Sequence, residues 1–141
     1  MYANLSLTLD TNILISSLMT EGTPPDLLFM AWQAERFSLV TSEEQLDELA
    51  RVLSYPKLKP YINPLEGREL LYGLRNHAVL VKELPIVSYS ADYADNIILA
   101  TALKGQCNFL VTGDKKDLLS LKVVEHISII TARAALEIIN A

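Results

Sequence analysis

Cysteine occurs once in this chain, at Cys107, which excludes an intrachain disulfide and any need for an oxidising compartment. No other Cys and no His stands near it, and it reads as inert core. Long hydrophobic runs are missing as well: none approaches the about 18 residues that a membrane span requires. The N-terminus carries neither the basic segment nor the cleavage site of a signal peptide. A cytoplasmic protein without membrane contact is therefore the expectation. Basic charge is scarce, since 12 Lys and Arg against 17 Asp and Glu leave a net charge of -5. That balance excludes a protein that coats nucleic acid nonspecifically through a basic surface, though it leaves a local basic patch open. With one thiol and only His77 and His126 as imidazoles, both distant from the acidic positions considered below, a zinc site is disfavoured.

What is present is a core: 50% of the 141 residues are hydrophobic, enough for one domain spanning residues 1–141. No repeat, linker or low-complexity tract divides it. The alternating Leu5, Leu7 and Leu9 read as a strand that ends on Asp10, Thr11 and Asn12. A helix begins at Ile13. Pro25 opens a second helix that runs to about residue 36, with Trp32 in a packing role. Residues 37–40 form a short strand. Thr41 with Glu44, and Ser42 with Gln45, both fit a capping box, so a helix starts there and stops near Ser54 ahead of Pro56. Residues 55–63 read as a connector. Pro64 opens a helix to about residue 76, a strand covers residues 78–81, and a helix from residue 91 ends with Gly105 as its stop. Strands at residues 109–111 and 127–130, a short helix at 116–120 and a last helix at 131–139 complete the chain. Such alternation predicts a three-layer α/β/α sandwich around a central parallel sheet of four to five strands.

In sheets of this kind, ligands bind beyond the carboxyl ends of the strands. Asp10 and Asp114 each directly follow an apolar strand, which places both at that edge. Asp95 falls in the first turn of its helix on the side of Leu99 and Ala102, facing the core. Glu48 lies between the apolar and solvent faces of the capped helix. Each has a plain alternative, and Asp10 alone would serve as a helix cap. A carboxylate facing a core costs several kcal/mol unless it is paired or binds a metal, and the Lys and Arg residues fall mainly in loops and on outer helix faces. A divalent cation is the better counter-charge, and oxygen donors suit Mg²⁺ or Mn²⁺.

The segments LDTNILIS, SEEQLDELARVL, DYADNIILATAL and LVTGDKKDLL, in this order and spacing, resemble the PIN-domain ribonucleases, most of all bacterial PIN toxins of the VapC type. The resemblance runs from Leu5 to Leu121, and the tail fits the family's last strand and helix. It implies a metal-dependent endoribonuclease, the toxin of a toxin–antitoxin pair, that acts on RNA, binds an antitoxin protein and forms a homodimer. Carried over by position, Asp10, Glu48, Asp95 and Asp114 would be metal ligands binding Mg²⁺ or Mn²⁺, with Asn12 and Thr112 assisting. Asp92 is expected as a helix cap and Asp117 as a solvated first-turn acid. Lys57, Lys59, Arg68, Arg75, Lys115 and Lys116 are candidate phosphate contacts. Related sequences often carry an Arg and a Pro around the third acid, where this chain has Ser90, Ala91 and Tyr93.

Two phosphotransfer classes fit the sequence poorly. A dehalogenase-type phosphatase wants a second Asp where Asn12 stands, and a receiver domain wants an acidic pair where Thr8 and Leu9 stand. A PIN fold working mainly as an interaction module is the remaining alternative, with the helices from Pro25 and Pro64 and residues Tyr55, Tyr61 and Tyr72 as contact surface.

Overall fold

A computed structural model of the chain describes residues 4–113 and 116–141. β1 (Ser6–Leu9) leads into α1 (Thr11–Met19) and α2 (Pro24–Gln33). β2 (Ser38–Ser42) is followed by α3 (Glu43–Leu53), a 3-10 turn at Pro56–Leu58, and α4 (Pro64–His77). β3 (Val79–Val81) precedes α5 (Tyr93–Lys104), and β4 (Phe109–Val111) precedes α6 (Leu118–Leu121). β5 (Val123–Val124), β6 (Ile127–Ile130) and α7 (Ala132–Ile139) close the chain. The strands lie in the order β3-β2-β1-β4-β6-β5. All neighbours are parallel except the two-residue β5, which runs antiparallel to β6. The expected strands are therefore present, and one short edge strand that no sequence pattern announced is added.

Both faces of the sheet are covered. Leu7, Leu9, Leu39, Phe109 and Val111 pack with α1 and α2 and with Leu46, Leu49, Leu70 and Leu74 of α3 and α4. On the opposite face, Val40, Leu110, Ile127 and Ile129 pack with Ile98, Leu99 and Ala102 of α5 and Leu118 of α6. The arrangement is the three-layer α/β/α sandwich anticipated from alternation. It also explains why Thr8, the polar member of β1, is fully buried: a parallel sheet clad on both sides has no wet face. Thr8 offsets the cost by donating to the Val40 carbonyl at 3.2 Å, with Cys107 Sγ 3.3 Å away.

Burial pushes the Cys107 thiol above its ordinary range, and the Thr8 contact only partly opposes this. Since the unfolded thiol ionises at lower pH, this group stabilises the fold fully below the ordinary thiol range, and that contribution is lost as pH rises through the folded value. Accordingly, a thiol reagent at pH 8 should label Cys107 rapidly only after denaturation, which absorbance of the released chromophore would follow; rapid labelling of native protein would contradict the burial.

Gly105 ends α5, but for a reason other than the one expected. Its φ of -80° lies in the right-handed region, while Gln106 takes the left-handed turn at φ 51°. Glycine is required by packing, because a Cβ at position 105 would stand 2.5 Å from Val40 Cγ1. Gly105→Ala should therefore destabilise the chain by about 1–3 kcal/mol, the usual cost of overpacking, and Val40→Ala should restore part of the loss in the double variant. Additive losses in denaturant melts would contradict the clash.

Candidate active site

β1 runs to β2 and then β3 on one side, whereas β4 flanks its other side. The β1–β4 boundary is thus where the strand order reverses, the position at which such sheets leave a crevice at their carboxyl edge. Asp10 stands there. Its backbone N–H donates to the Val111 carbonyl of β4 at 2.8 Å, which fixes the tip of β1 against the tip of β4. The side chain is 6% exposed and accepts a hydrogen bond from Thr112 Oγ1 at 2.7 Å. Thr112 is itself held by a backbone bond to the Ile130 carbonyl of β6.

Glu48 is brought to the same edge by α3. Ser42 caps that helix, accepting from the Gln45 N–H at 3.2 Å. Only half of the expected capping box forms. Instead of turning back to Ser42, the Gln45 side chain donates from Nε2 to the Leu9 carbonyl at 2.6 Å and accepts from Thr41 Oγ1 at 2.6 Å. Gln45 thereby pins α3 to the last residue of β1, immediately before Asp10. One turn further on, Glu48 is half-buried and accepts a 2.5 Å hydrogen bond from Thr11 Oγ1, the residue after Asp10.

Asp95 arrives from α5, which packs on β1, β2, β4 and α3. It is 9% exposed, on the buried side as its spacing predicts. Asp92 caps the helix, accepting from the Ala94 N–H at 2.8 Å, as expected of it. Ser90, one of the residues at the departure from the related sequences, is clamped by Asn96 through two bonds of 2.9 and 2.8 Å. Its hydroxyl points to Asp95 Oδ2 at 3.3 Å.

A common pattern joins the three described acids: each accepts from a hydroxyl, Asp10 from Thr112, Glu48 from Thr11, and Asp95 from Ser90. A neutral hydroxyl occupies one lone pair and orients the carboxylate without cancelling its charge. Asp114 and Lys115 lie outside the described residues. Among the described residues, no three His, Cys, Asp or Glu side chains come close enough together to hold a metal ion. The donor set at this edge is nevertheless all oxygen, which fits Mg²⁺ or Mn²⁺ in an open, partly hydrated shell better than zinc. His77 ends α4 and His126 precedes β6, both exposed and at the amino edge of the sheet.

The remaining expected residues stand at the surface. Asn12 is exposed, and its side chain makes no hydrogen bond among the described residues. Its neighbour Thr11, which sequence reasoning passed over, makes the contact to Glu48 instead. Asp117 precedes α6, exposed, and makes no side-chain cap. Of the candidate phosphate contacts, Lys57, Lys59, Arg68 and Lys116 are exposed. Arg75 forms an ion pair with Glu43 across the surface, and this holds the Glu43 carboxyl below its ordinary range. Gln45 and Ser90 were the other residues missed; a buried Gln in the first turn of a helix was the available signal for Gln45.

The model of the PIN domain matches residues 6–116, a span that takes in β1, α3, the first turn of α5 and the tip of β4. No curated protein matches the chain. PIN domains are in general nucleases, hydrolases of phosphodiester bonds. No helix among the described residues is long and apolar enough to cross a membrane. On the match over residues 6–116, the chain belongs to the PIN-domain family.

Proposed function

We propose that this chain is a divalent-metal-dependent endoribonuclease and works as the toxin of a toxin–antitoxin pair. The observation that carries the proposal is Asp10, a carboxylate 6% exposed at the strand-order reversal and oriented by Thr112. Asp10, Glu48, Asp95 and Asp114 would hold Mg²⁺ or Mn²⁺. When bound, the cation lowers the pKa of water and offsets charge that builds on the phosphate oxygens. The chain's own contribution is positioning. Thr112, Thr11 and Ser90 fix the carboxylates, Gln45 fixes α3 against β1, and Asn12 stands at the rim. Bases unpaired from RNA and a few Lys side chains would complete substrate binding.

A second reading has its own support: Leu27 and Met30 on α2 and Leu65 and Tyr72 on α4 stand between 42% and 71% exposed. A protein partner, an antitoxin or a second copy in a homodimer, would cover such side chains. In that reading the chain is mainly an interaction module. One assay separates the two. Purified protein should cleave single-stranded RNA with Mg²⁺ or Mn²⁺ and lose all cleavage in excess EDTA, with recovery on adding metal back. Absence of cleavage under every metal condition would favour the interaction module.

A further inference from the structure

Between α3 and α5 lies a cleft of about 380 Å³ that shares only Glu48 with the catalytic reading. That volume falls at the small end of ligand pockets, about 300–1,000 Å³. Tyr93, Ala94 and Ile97 supply its apolar side from α5, and Glu44, Asp47, Glu48 and Arg51 supply its polar side from α3. We infer that this cleft seats one unpaired RNA base bearing an exocyclic amine, stacked on the Tyr93 ring. The inference rests on the ribonuclease reading and names the part of the substrate that the chain selects.

Tyr93 is the first residue of α5, fixed by the Asp92 cap, yet its ring is 79% exposed. It has no aromatic partner among the described residues, where the one ring pair is Phe29 with Trp32. An open ring beside a small cleft with an apolar wall suits base stacking, which tolerates any base but needs it unpaired. Selection comes from the opposite wall. Glu44 and Asp47 repel a phosphate but accept N–H groups, and adenine, cytosine and guanine each present an exocyclic amino group, whereas the one edge N–H of uracil is flanked by carbonyl oxygens that the carboxylates repel. Arg51, exposed and without an ion pair among the described residues, lines the cleft and is the cation for the phosphate of the seated nucleotide. Because Glu48 lines the cleft and also accepts from Thr11 beside Asp10, the seated base adjoins the acids.

The test measures binding and cleavage separately. In an Asp10→Asn background with Mg²⁺, anisotropy of labelled single-stranded tetranucleotides should show adenosine bound more tightly than uridine. Tyr93→Ala should weaken adenosine binding by about 5- to 100-fold, while Tyr93→Phe retains it. Trp32 is the only tryptophan, and it packs with Phe29 and lines a groove with the strand starts Leu5 and Ser38. A Tyr93→Trp variant therefore adds a fluorophore at the cleft, and the adenosine oligonucleotide should quench it. Equal binding of adenosine and uridine oligonucleotides, or no change in Tyr93→Ala, overturns the inference. If RNA is cleaved while Tyr93→Ala is silent, this inference falls and the nuclease reading stands. If Tyr93-dependent binding is seen without any cleavage, the inference stands and the nuclease reading falls.

Discussion

Asp10→Asn should lower kcat/KM for RNA cleavage by at least about 10³-fold, beyond the about 10²–10³-fold that loss of one preorganised charge-stabilising donor costs elsewhere. The reason is charge rather than shape. Asn keeps the outline of Asp10, and its amide oxygen can still accept the Thr112 hydroxyl, which is 2.7 Å away in the parent. What is lost is a negative charge at the strand-order reversal, where a cation would bind. The folded state should survive: the melting temperature of Asp10→Asn should stay within a few degrees of the parent, since no cavity is opened and the Thr112 hydroxyl keeps an acceptor. Thr112→Val is the graded companion. It removes only the orienting hydroxyl and should cost about 10- to 100-fold, as outer partners of metal ligands do. Kinetics on a labelled RNA together with calorimetry on both variants would check this. Full activity in Asp10→Asn would remove that residue from the reaction, and a collapse of Tm alongside the lost activity would make it structural.

Gln45→Leu should destabilise the chain by about 2–4 kcal/mol, because two hydrogen bonds to a side chain 1% exposed disappear and each buried group left behind costs about 1–3 kcal/mol. For a chain of this size that is a fall in Tm of roughly 6–12 °C. Surface position cannot soften the loss, as water has no access to the Leu9 carbonyl side of α3. An effect on activity should accompany it below the melting range. The Gln45 amide is the tie between α3 and the end of β1, so its removal frees Glu48 to shift relative to Asp10, and a displacement near 1 Å can cost about 10²-fold in rate. Gln45→Glu distinguishes the two roles, since a carboxylate cannot donate to Leu9. Thermal melts and cleavage measured 20 °C below each variant's own Tm provide the readout. A variant that melts with the parent would show that the tie carries no energy.

Much of the architecture was legible because it follows from periodicity and punctuation. Leu5, Leu7 and Leu9 with the polar tip after them mark β1, Ser42 with Gln45 marks the start of α3, and Asp92 marks the start of α5. Those signals are local. The roles of Gln45 and Thr11 are not, since each side chain bonds to a residue brought near by folding, 36 and 37 positions away. Local rules therefore read Gln45 as a capping-box partner and Gly105 as a left-handed stop. Tertiary contact decided otherwise in both cases, with Leu9 drawing the amide of Gln45 and Val40 excluding a Cβ at Gly105. β5 was invisible for a related reason: two residues cannot show a period, and Val123 pairs only because β6 offers its edge. As for the acids, order along the chain and strand ends pointed to Asp10, Glu48 and Asp95. The hydroxyl that orients each one could be read only from the fold, and Asp114 lies outside the described residues.

In the proposed mechanism, acids from the tip of β1, from α3 and from α5 serve one divalent cation at the carboxyl edge of the sheet. Anomalous diffraction from crystals soaked in Mn²⁺ tests it most directly. The account predicts a Mn²⁺ peak bonded to Asp10 and at least one of Glu48, Asp95 and Asp114, absent from crystals of Asp10→Asn. A peak elsewhere on the surface, or none at this edge with RNA bound, would contradict it.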